Sequence, residues 1–211
     1  MDVEFWFDPI CPWTWITSRW IEEVRGSRPI GVEWHAFSLD LANDKRRPDP
    51  DDDRRLGATR RMLRVVEAAR AEGEFDAVGR LYTSMGRRIH HEADLRFDIG
   101  DTLSEARLDP RLLDAADDES WDGAIRASMK QGREIAGDDV GVPIVAFRLG
   151  SGDAPVGCFG PILREVPRGE AALRLFDATV QLARVPAFSE LKRARGGRPV
   201  LPSVPDPAHR P

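Results

Sequence analysis

The chain has 211 residues, 41% of them hydrophobic, and carries a formal net charge of −5 with a pI near 5.5. This size and composition predict one sizeable globular domain, or a domain with a large insertion, that needs no disulfide bonds to hold its core together. The acidic balance argues against a nucleic-acid-binding protein, because phosphate binding needs a clustered basic face.

Cysteine usage and the start of the chain indicate the compartment. The sequence has only two cysteines, Cys11 and Cys158, which argues against a secreted disulfide framework and favours a reducing compartment. An apolar strand pattern follows Met1-Asp2 directly, so no signal peptide is predicted. No apolar run reaches the roughly 18 residues that a membrane-spanning helix needs. We therefore expect a cytoplasmic protein with no membrane association.

Residues 1–40 predict two strands separated by a helix. The stretch "VEFWF" (3–7) is short, apolar and aromatic, as is typical of a buried strand. Pro12 suits the first turn of a helix, and apolar residues then recur at helical spacing until Gly26. The stretch "IGVEWHAF" (30–37) alternates in the manner of a second strand.

Residues 41–138 predict a surface loop followed by helices alone. The loop is the polar, proline-containing stretch 41–55. The helices that follow are predicted from Leu56 to near Gly73, from Phe75 to Met85, and around 97–106, 111–117 and 119–136.

Strand patterns return in residues 139–194. The stretches "PIVAF" (143–147) and "PVGCF" (155–159) flank a glycine turn and predict a hairpin. A helix is predicted after it, from about Gly169 to Ala183. The tail 195–211 is rich in proline and glycine, and we expect it to be mobile or draped over the surface.

Cys11 lies where the first strand gives way to the first helix, in the stretch "DPICPWTW" (8–15). A free cysteine titrates at about 8.5, and its thiolate is the nucleophile. At the start of a helix, the dipole, the N–H groups of Trp13 and Thr14, and the Thr14 hydroxyl can lower that pKa. The sequence therefore predicts a reactive thiol with a lowered pKa. Thr14 can stabilise a thiolate but cannot form a disulfide with it.

The stretches "FWFDPICPWTWITSRW" (5–20), "GVPIVAF" (141–147) and "FGPILREVPRGEAALRLFDA" (159–178) resemble the DsbA-like branch of the thioredoxin superfamily. Within it they are most similar to the FrnE-like and mycothiol-dependent nitroreductase group, whose Cys-Pro-Trp-Cys motif corresponds to "CPWT" in this chain. That group also has a segment similar to "IHHEADLRF" (89–97). The resemblance extends to about Lys192.

The resemblance implies an α/β protein with a thioredoxin fold. Its central sheet would be mixed, and an all-helical insertion would lie between the second and third strands, as in DsbA. The chain would then divide into a first thioredoxin-fold part (1–40), a helical insertion that acts as a lid (41–138), a second thioredoxin-fold part (139–194) and a tail (195–211).

The same resemblance implies roles for residues of the site. Cys11 corresponds to the attacking cysteine, and Thr14 occupies the position of the resolving cysteine. Val142-Pro143 corresponds to the cis-proline pair, in which the proline faces the active cysteine and the preceding backbone pairs with a thiol substrate. The expected catalytic residues are Cys11 and Thr14, and the expected substrate- and thiol-binding residues are Pro12, Trp13, Val142 and Pro143.

The implied activity is thiol-disulfide exchange through Cys11 alone. Since Thr14 cannot clear a mixed disulfide, a low-molecular-weight thiol, mycothiol or a similar one, is the expected co-substrate. Small electrophiles such as nitro compounds are further candidate substrates. We expect no metal, no nucleotide cofactor and no nucleic-acid partner, and the sequence leaves open whether the chain forms a homodimer.

Two other functions stay open. Kappa-class glutathione transferases and hydroxychromene carboxylate isomerases share the architecture but have serine in place of the first cysteine. The first alternative is thus a transferase or isomerase that binds a small thiol noncovalently and uses Thr14 or Cys11 only to orient it. The second is a thiol-binding module that lost catalysis together with the second cysteine.

Other candidate residues have weaker patterns. Cys158 would return toward Cys11 if the hairpin forms, although a buried, inert thiol is the usual occupant of such a strand. His90 and His91, with His35 far away, lack a third metal ligand at suitable spacing. The acidic stretch 49–55 lacks the glycine and glutamate of a calcium-binding loop. Asp8 either tunes Cys11 or is an ordinary turn residue before a proline.

Overall fold

The computed structural model describes residues 1–43, 50–150 and 152–201, and the side chains of residues 50–54 are outside that description. In chain order the elements are β1 (Asp2–Phe7), α1 (Pro12–Arg25), β2 (Gly31–Ala36), α2 (Leu39–Ala42), α3 (Pro50–Ala71), α4 (Phe75–His90), α5 (Ile99–Ala106), two 3₁₀ segments (Pro110–Asp117 and Glu119–Trp121), α6 (Asp122–Ala136), β3 (Ile144–Arg148), β4 (Val156–Phe159) and α7 (Gly169–Ala183).

Within the described residues, the strands form one four-stranded sheet in the order β2-β1-β3-β4. β1 pairs in parallel with β2, and β3 pairs antiparallel with both β1 and β4. The central strand β1 is buried from Val3 to Phe7, as expected when both faces of a strand are covered. The mixed sheet, with α2 to α6 between β2 and β3 in the chain, confirms the predicted α/β class with a thioredoxin fold.

Glycines of α4 allow this helix to pack closely on α1 and the sheet. A Cβ atom on Gly86 would collide with the indole of Trp15, and one on Gly79 would lie 2.5 Å from the indole nitrogen of Trp34. Both indoles are buried, one on α1 and the other on β2. Helix α4, one of the helices that follow β2, therefore contacts α1 directly, and α1 is the helix that begins next to Cys11.

Two parts of the predicted loop 41–55 prove to be helical. The short helix α2 begins at Leu39, where the Ser38 hydroxyl accepts a hydrogen bond from the N–H of Leu41 and caps the helix. Helix α3 begins at Pro50. Proline fits the first turn of a helix because the N–H group that it lacks would have no partner there. Residues 44–49 and the side chains of residues 50–54 lie outside the description, so the exclusion of a calcium loop stays a prediction.

The helices predicted over 111–117 and at the start of 119–136 are 3₁₀ segments. Over two turns, apolar residues spaced three or four apart suit either helix type, so the pattern alone could not separate them. The α-helical part of the second stretch begins at Asp122.

Beyond α7 the chain runs to Leu201 without a helix or strand, and residues 202–211 lie outside the description. The described part of this tail runs over the surface, and the N–H of Val200 donates to the carbonyl of Arg164 at 2.7 Å. No described helix combines the length and the apolar character required to span a membrane.

Candidate active site around Cys11

Cys11 is the residue immediately before α1, and Pro12 is the first residue of that helix. The N–H of Cys11 donates to the carbonyl of Asp8 at 3.1 Å, and the Cys11 carbonyl accepts from the N–H of Trp15 at 3.0 Å. Proline at this position sacrifices no hydrogen bond, because the first N–H groups of a helix have no partner within it. The turn therefore holds the thiol at the open N-terminal end of α1.

The thiol of Cys11 faces the chain segment that leads into β3. Its Sγ donates to the carbonyl oxygen of Val142, 3.9 Å away and 131 residues later in the chain. The Val142–Pro143 peptide bond is cis, and β3 begins directly after it. Because β3 pairs with β1, it brings this segment to the end of β1, where the Cys11 turn begins.

Thr14 lies in the first turn of α1 and is fully buried. Within the part of the chain that the structure describes, its hydroxyl has no hydrogen-bond partner. When Cys11 ionises, hydrogen bonds to its thiolate from this hydroxyl and from the N–H groups of Thr14 and Trp13 favour the charged form and so act to lower the pKa of Cys11. The hydroxyl is thus unengaged beside a neutral thiol and available to donate to a thiolate.

Burial nevertheless raises the pKa of the Cys11 thiol above its ordinary value. The side chain is only 8% exposed, and removal of water from the sulfur is the largest cause of the shift. The charge of Asp8 adds to it, while the hydrogen bonds from Thr14 and Trp13 oppose it. The predicted lowering of the pKa is therefore wrong for this structure: the donors are in place, but desolvation outweighs them.

Asp8 is fully buried in the turn before Cys11. Its Oδ1 accepts from the N–H of Ile10 at 3.0 Å, and its Oδ2 accepts from the N–H of Leu39 at 2.7 Å. Burial raises the pKa of Asp8 to about 6, even though both hydrogen bonds favour the charged form. The carboxyl group therefore joins the Cys11 turn to the start of α2.

Two tryptophans near Cys11 have different surroundings. Trp15 is fully buried and packs in the core, and its Nε1 donates to Nε2 of His91 at 3.0 Å. Trp13 is half-buried, and the guanidinium carbon of Arg195 lies 4.9 Å from the centre of its ring. Trp13 is therefore the tryptophan whose ring a ligand at this end of α1 can reach.

The histidine pair at the end of α4 contacts the Cys11 turn, which the sequence did not predict. Nε2 of His90 lies 2.8 Å from the carbonyl oxygen of Pro9 and must carry the proton, because a carbonyl only accepts. Burial is the largest cause that lowers the pKa of His90, to about 4. Among the described side chains, those of residues 1–43, 55–150 and 152–201, there is no cluster of three or more metal-ligating groups.

Cys158 lies on β4 opposite Val145, three residues beyond Val142 along β3. Three residues of a strand span about 10 Å, so Cys158 stops short of the site although its strand returns toward it. Both cysteines are free. Burial raises the pKa of Cys158, and no hydrogen bond is found to oppose the shift. The register therefore favours a structural thiol at Cys158 over a resolving one.

Comparison with known proteins places this site in a family. The family model for the mycothiol-dependent nitroreductase Rv2466c matches residues 10–193. The chain belongs to this family of oxidoreductases. A related protein, the uncharacterized protein Rv2286c of Mycobacterium tuberculosis (strain ATCC 25618 / H37Rv), is 32% identical over 204 residues, with 92% of this chain and 82% of that protein covered.

Two solved structures show the same fold. The cytosolic disulfide reductase DsbM from Pseudomonas aeruginosa superposes with a TM-score of 0.57 at 13% identity, with 86% of this chain and 100% of that chain covered. The probable DsbA oxidoreductase SCO1869 from Streptomyces coelicolor gives a TM-score of 0.54 at 18% identity, with 92% and 94% covered. These likenesses confirm the resemblance to DsbA-like thioredoxin-fold proteins.

Proposed function

We propose that this protein is a DsbA-like thiol-disulfide oxidoreductase that works through Cys11 alone, with mycothiol or a similar low-molecular-weight thiol as co-substrate. The observation that carries the proposal is the position of the Cys11 sulfur at a helix N-terminus, against the carbonyl that precedes cis-Pro143. Thr14 stands three residues on, where a dithiol enzyme would have its second cysteine. The family match supports the same chemistry.

In the proposed reaction, the Cys11 thiolate attacks one sulfur of a disulfide, and the other sulfur leaves as a thiolate. Cys11 then carries a mixed disulfide with a small thiol. A second small thiol attacks the small-thiol sulfur, frees the Cys11 thiolate and forms an oxidised small-thiol disulfide. For a nitro compound, reduction to the nitroso compound would consume two small thiols and yield one disulfide and one water.

Each expected site residue has a role in this mechanism. The Thr14 hydroxyl donates to the thiolate, and Pro12 fixes the turn. Trp13 offers a partly exposed ring to the organic part of the ligand, and the backbone at Val142-Pro143 pairs with the substrate. Helices of the insertion 41–138 act as a lid, a role supported by the His90 contact with the Cys11 turn. We place the reaction in a reducing cytoplasm, since it needs a pool of reduced thiol.

A transferase or isomerase is the second candidate, and one observation favours it. Burial keeps Cys11 largely protonated near neutral pH, while the Thr14 hydroxyl beside it is buried and unengaged in the described residues. Both groups could then donate hydrogen bonds to the thiolate of an external small thiol. In this reading Cys11 orients the co-substrate and forms no covalent bond with it.

Trapping of the mixed disulfide tests the proposal. The protein is incubated separately with mycothiol, glutathione and cysteine, each in its reduced and its oxidised form. The masses of the intact protein and of its peptides are then measured by mass spectrometry. We expect one small thiol attached to the Cys11 peptide, loss of the adduct in Cys11→Ser, and an unchanged adduct in the control Cys158→Ala. Full turnover by Cys11→Ser would support the transferase instead, and neither adduct nor turnover would indicate a binding module.

The substitution Thr14→Cys tests the monothiol character of the mechanism. A thiol at this position would attack the mixed disulfide from within the molecule, where its effective concentration far exceeds that of a dissolved thiol. We expect the Cys11 adduct to fall at least about tenfold and a disulfide to form between positions 11 and 14. Thr14→Ser, the matched control, should keep the adduct. An adduct that persists in Thr14→Cys would contradict the proposed geometry.

A further inference from the structure

The C-terminal tail carries a positive charge to the Cys11 end of α1. The hydrogen bond from the N–H of Val200 to the carbonyl of Arg164 fastens the tail to the segment that follows β4. Upstream of this anchor, the guanidinium of Arg195 lies over the ring of Trp13, 4.9 Å from its centre. Trp13 is two residues from Cys11. The tail therefore contacts the first turn of α1, the helix that Cys11 directly precedes.

Both arginines of this arrangement are exposed, and no carboxylate of the described residues forms an ion pair with either of them. The guanidinium of Arg164 lies next to Gly197, because a Cβ atom there would be 3.9 Å from its Nε. Arg195 is two residues away from Gly197. Arg195 therefore lies at Trp13 and Arg164 lies near the same stretch of the tail, and neither charge is paired by a carboxylate of the described residues.

The contact with Trp13 leaves Arg195 able to bind an anion. A guanidinium attracted to an indole uses its flat face, whereas its N–H groups point outward along its edge. That edge matches the two oxygens of a carboxylate. Because the ring beneath Arg195 limits its freedom, less conformational entropy is lost when it binds a ligand.

We propose that Arg195, held on Trp13, determines specificity by recognising a carboxylate on the disulfide or electrophile that reacts at Cys11. The inference rests on the proposed function and names the class of its substrate: a small organic molecule that carries a carboxylate. When such a molecule places its reacting sulfur at Cys11, its organic part lies along Trp13 and its carboxylate meets Arg195. The family match ends at residue 193, before this arginine.

Two aromatic disulfides that differ in charge provide the test. Dithiobis(nitrobenzoate) carries a carboxylate on each ring, whereas dithiodipyridine is neutral at neutral pH. In each reaction the Cys11 sulfur forms a bond with one half of the disulfide, and the other half leaves with the electron pair of the broken S–S bond. From dithiobis(nitrobenzoate) it leaves as a coloured thiolate, and from dithiodipyridine it takes up a proton and becomes the thiopyridone, whose absorbance is followed in the near ultraviolet. The second-order rate constants are measured at low ionic strength in a Cys158→Ala background, where Cys11 is the only thiol.

With Arg195→Glu we expect the rate constant for the dicarboxylate to fall about tenfold and that for dithiodipyridine to change less than about twofold. Arg195→Gln should give a smaller loss, about threefold, and high salt should shrink both differences. The control Arg126→Glu, on an exposed position of α6, makes the same change in net charge and should alter neither rate.

Three results would overturn the inference alone, and a fourth would overturn the proposed function as well. Equal slowing with both disulfides would mean that Arg195 only supports the structure, and unchanged rates with both would mean that it does not face the substrate. Equal slowing of the dicarboxylate reaction by Arg126→Glu would mean that net charge alone is responsible. If neither disulfide reacts at Cys11 before any change at Arg195, the proposed function fails, and the inference fails with it.

Discussion

The two thiols of this chain are both removed from water, yet their surroundings differ. Burial raises the pKa of Cys11 and of Cys158. At Cys11, hydrogen bonds from the Thr14 hydroxyl and from two N–H groups oppose that shift, whereas desolvation acts alone at Cys158. The difference indicates that burial makes a thiol inert unless donors are directed at its sulfur.

The backbone explains why only one thiol has such donors. Cys158 lies in the edge strand β4, which pairs with β3, and no hydrogen bond from the described residues favours its thiolate. Cys11 precedes α1, whose first N–H groups have no partner within the helix. A strand-to-helix junction therefore supplies what a paired strand cannot. The opening motif "DPICPWTW" encodes that junction.

The largest effect on the two thiols is expected from pH. Only the thiolate is alkylated, and a raised pKa keeps its fraction small at neutral pH, so reactivity must grow as pH rises. In Cys158→Ala, the rate of Cys11 alkylation by iodoacetamide should rise about tenfold per pH unit, about a hundredfold between about pH 6.5 and 8.5. In Cys11→Ser, Cys158 should show the same slope. A plateau for Cys11 below about pH 8 would mean that the donors outweigh burial after all.

A smaller effect should separate the two thiols. Thr14→Val removes the hydroxyl but keeps the shape, so the Cys11 thiolate loses a charged hydrogen bond worth about 1.5 kcal/mol. Alkylation of Cys11 near pH 8 should slow about tenfold, and Thr14→Ser should restore most of the rate. The same substitutions made in Cys11→Ser should leave the alkylation of Cys158 unchanged. If Thr14→Val slows both thiols alike, the hydroxyl acts on the fold and not on the sulfur.

The smallest effect on the thiols is expected from the packing behind Cys11, where a substitution changes the free energy of unfolding and not the surroundings of the sulfur. Gly86→Ala would force the Trp15 indole to move, and overpacking of this kind costs about 1–3 kcal/mol of unfolding free energy. Gly123→Ala, at a helical position with no atom near the added methyl group, should be neutral or stabilising by up to about 1 kcal/mol. Urea denaturation measures both variants. Equal free energies of unfolding for the two variants would show that α4 can move to accommodate the methyl group and is not tightly packed against α1.

Much of this architecture could be predicted from the sequence. The aromatic run before Cys11, the alternation in 30–37 and the two strand patterns around the glycine turn have the expected periods, and all four strands are found. The junction that holds Cys11 could be predicted for the same reason, since Pro12 marks a helix start. The helix types in 110–121 could not, because the spacing of apolar residues hardly differs between them.

The electrostatics of the site lay beyond the sequence. The pKa of Cys11 depends on how completely distant segments cover its sulfur, and no local pattern reports that burial. The contacts of His90 with Pro9 and of Arg195 with Trp13 join residues far apart in the chain. The sequence argued against a metal site at the paired histidines but could not identify their neighbours in space, which are an indole and a carbonyl. Only the folded chain brings these groups together.

The hydrogen bond between Cys11 and Val142 has a consequence for synthesis. The thiol is made among the first residues, but its carbonyl partner is 131 residues away and reaches it only when β3 has joined β1. Pairing at such separation is slow, because a long loop must close first. A nascent chain therefore displays an uncovered sulfur until the last third has left the ribosome, and an oxidant present during that interval would reach it.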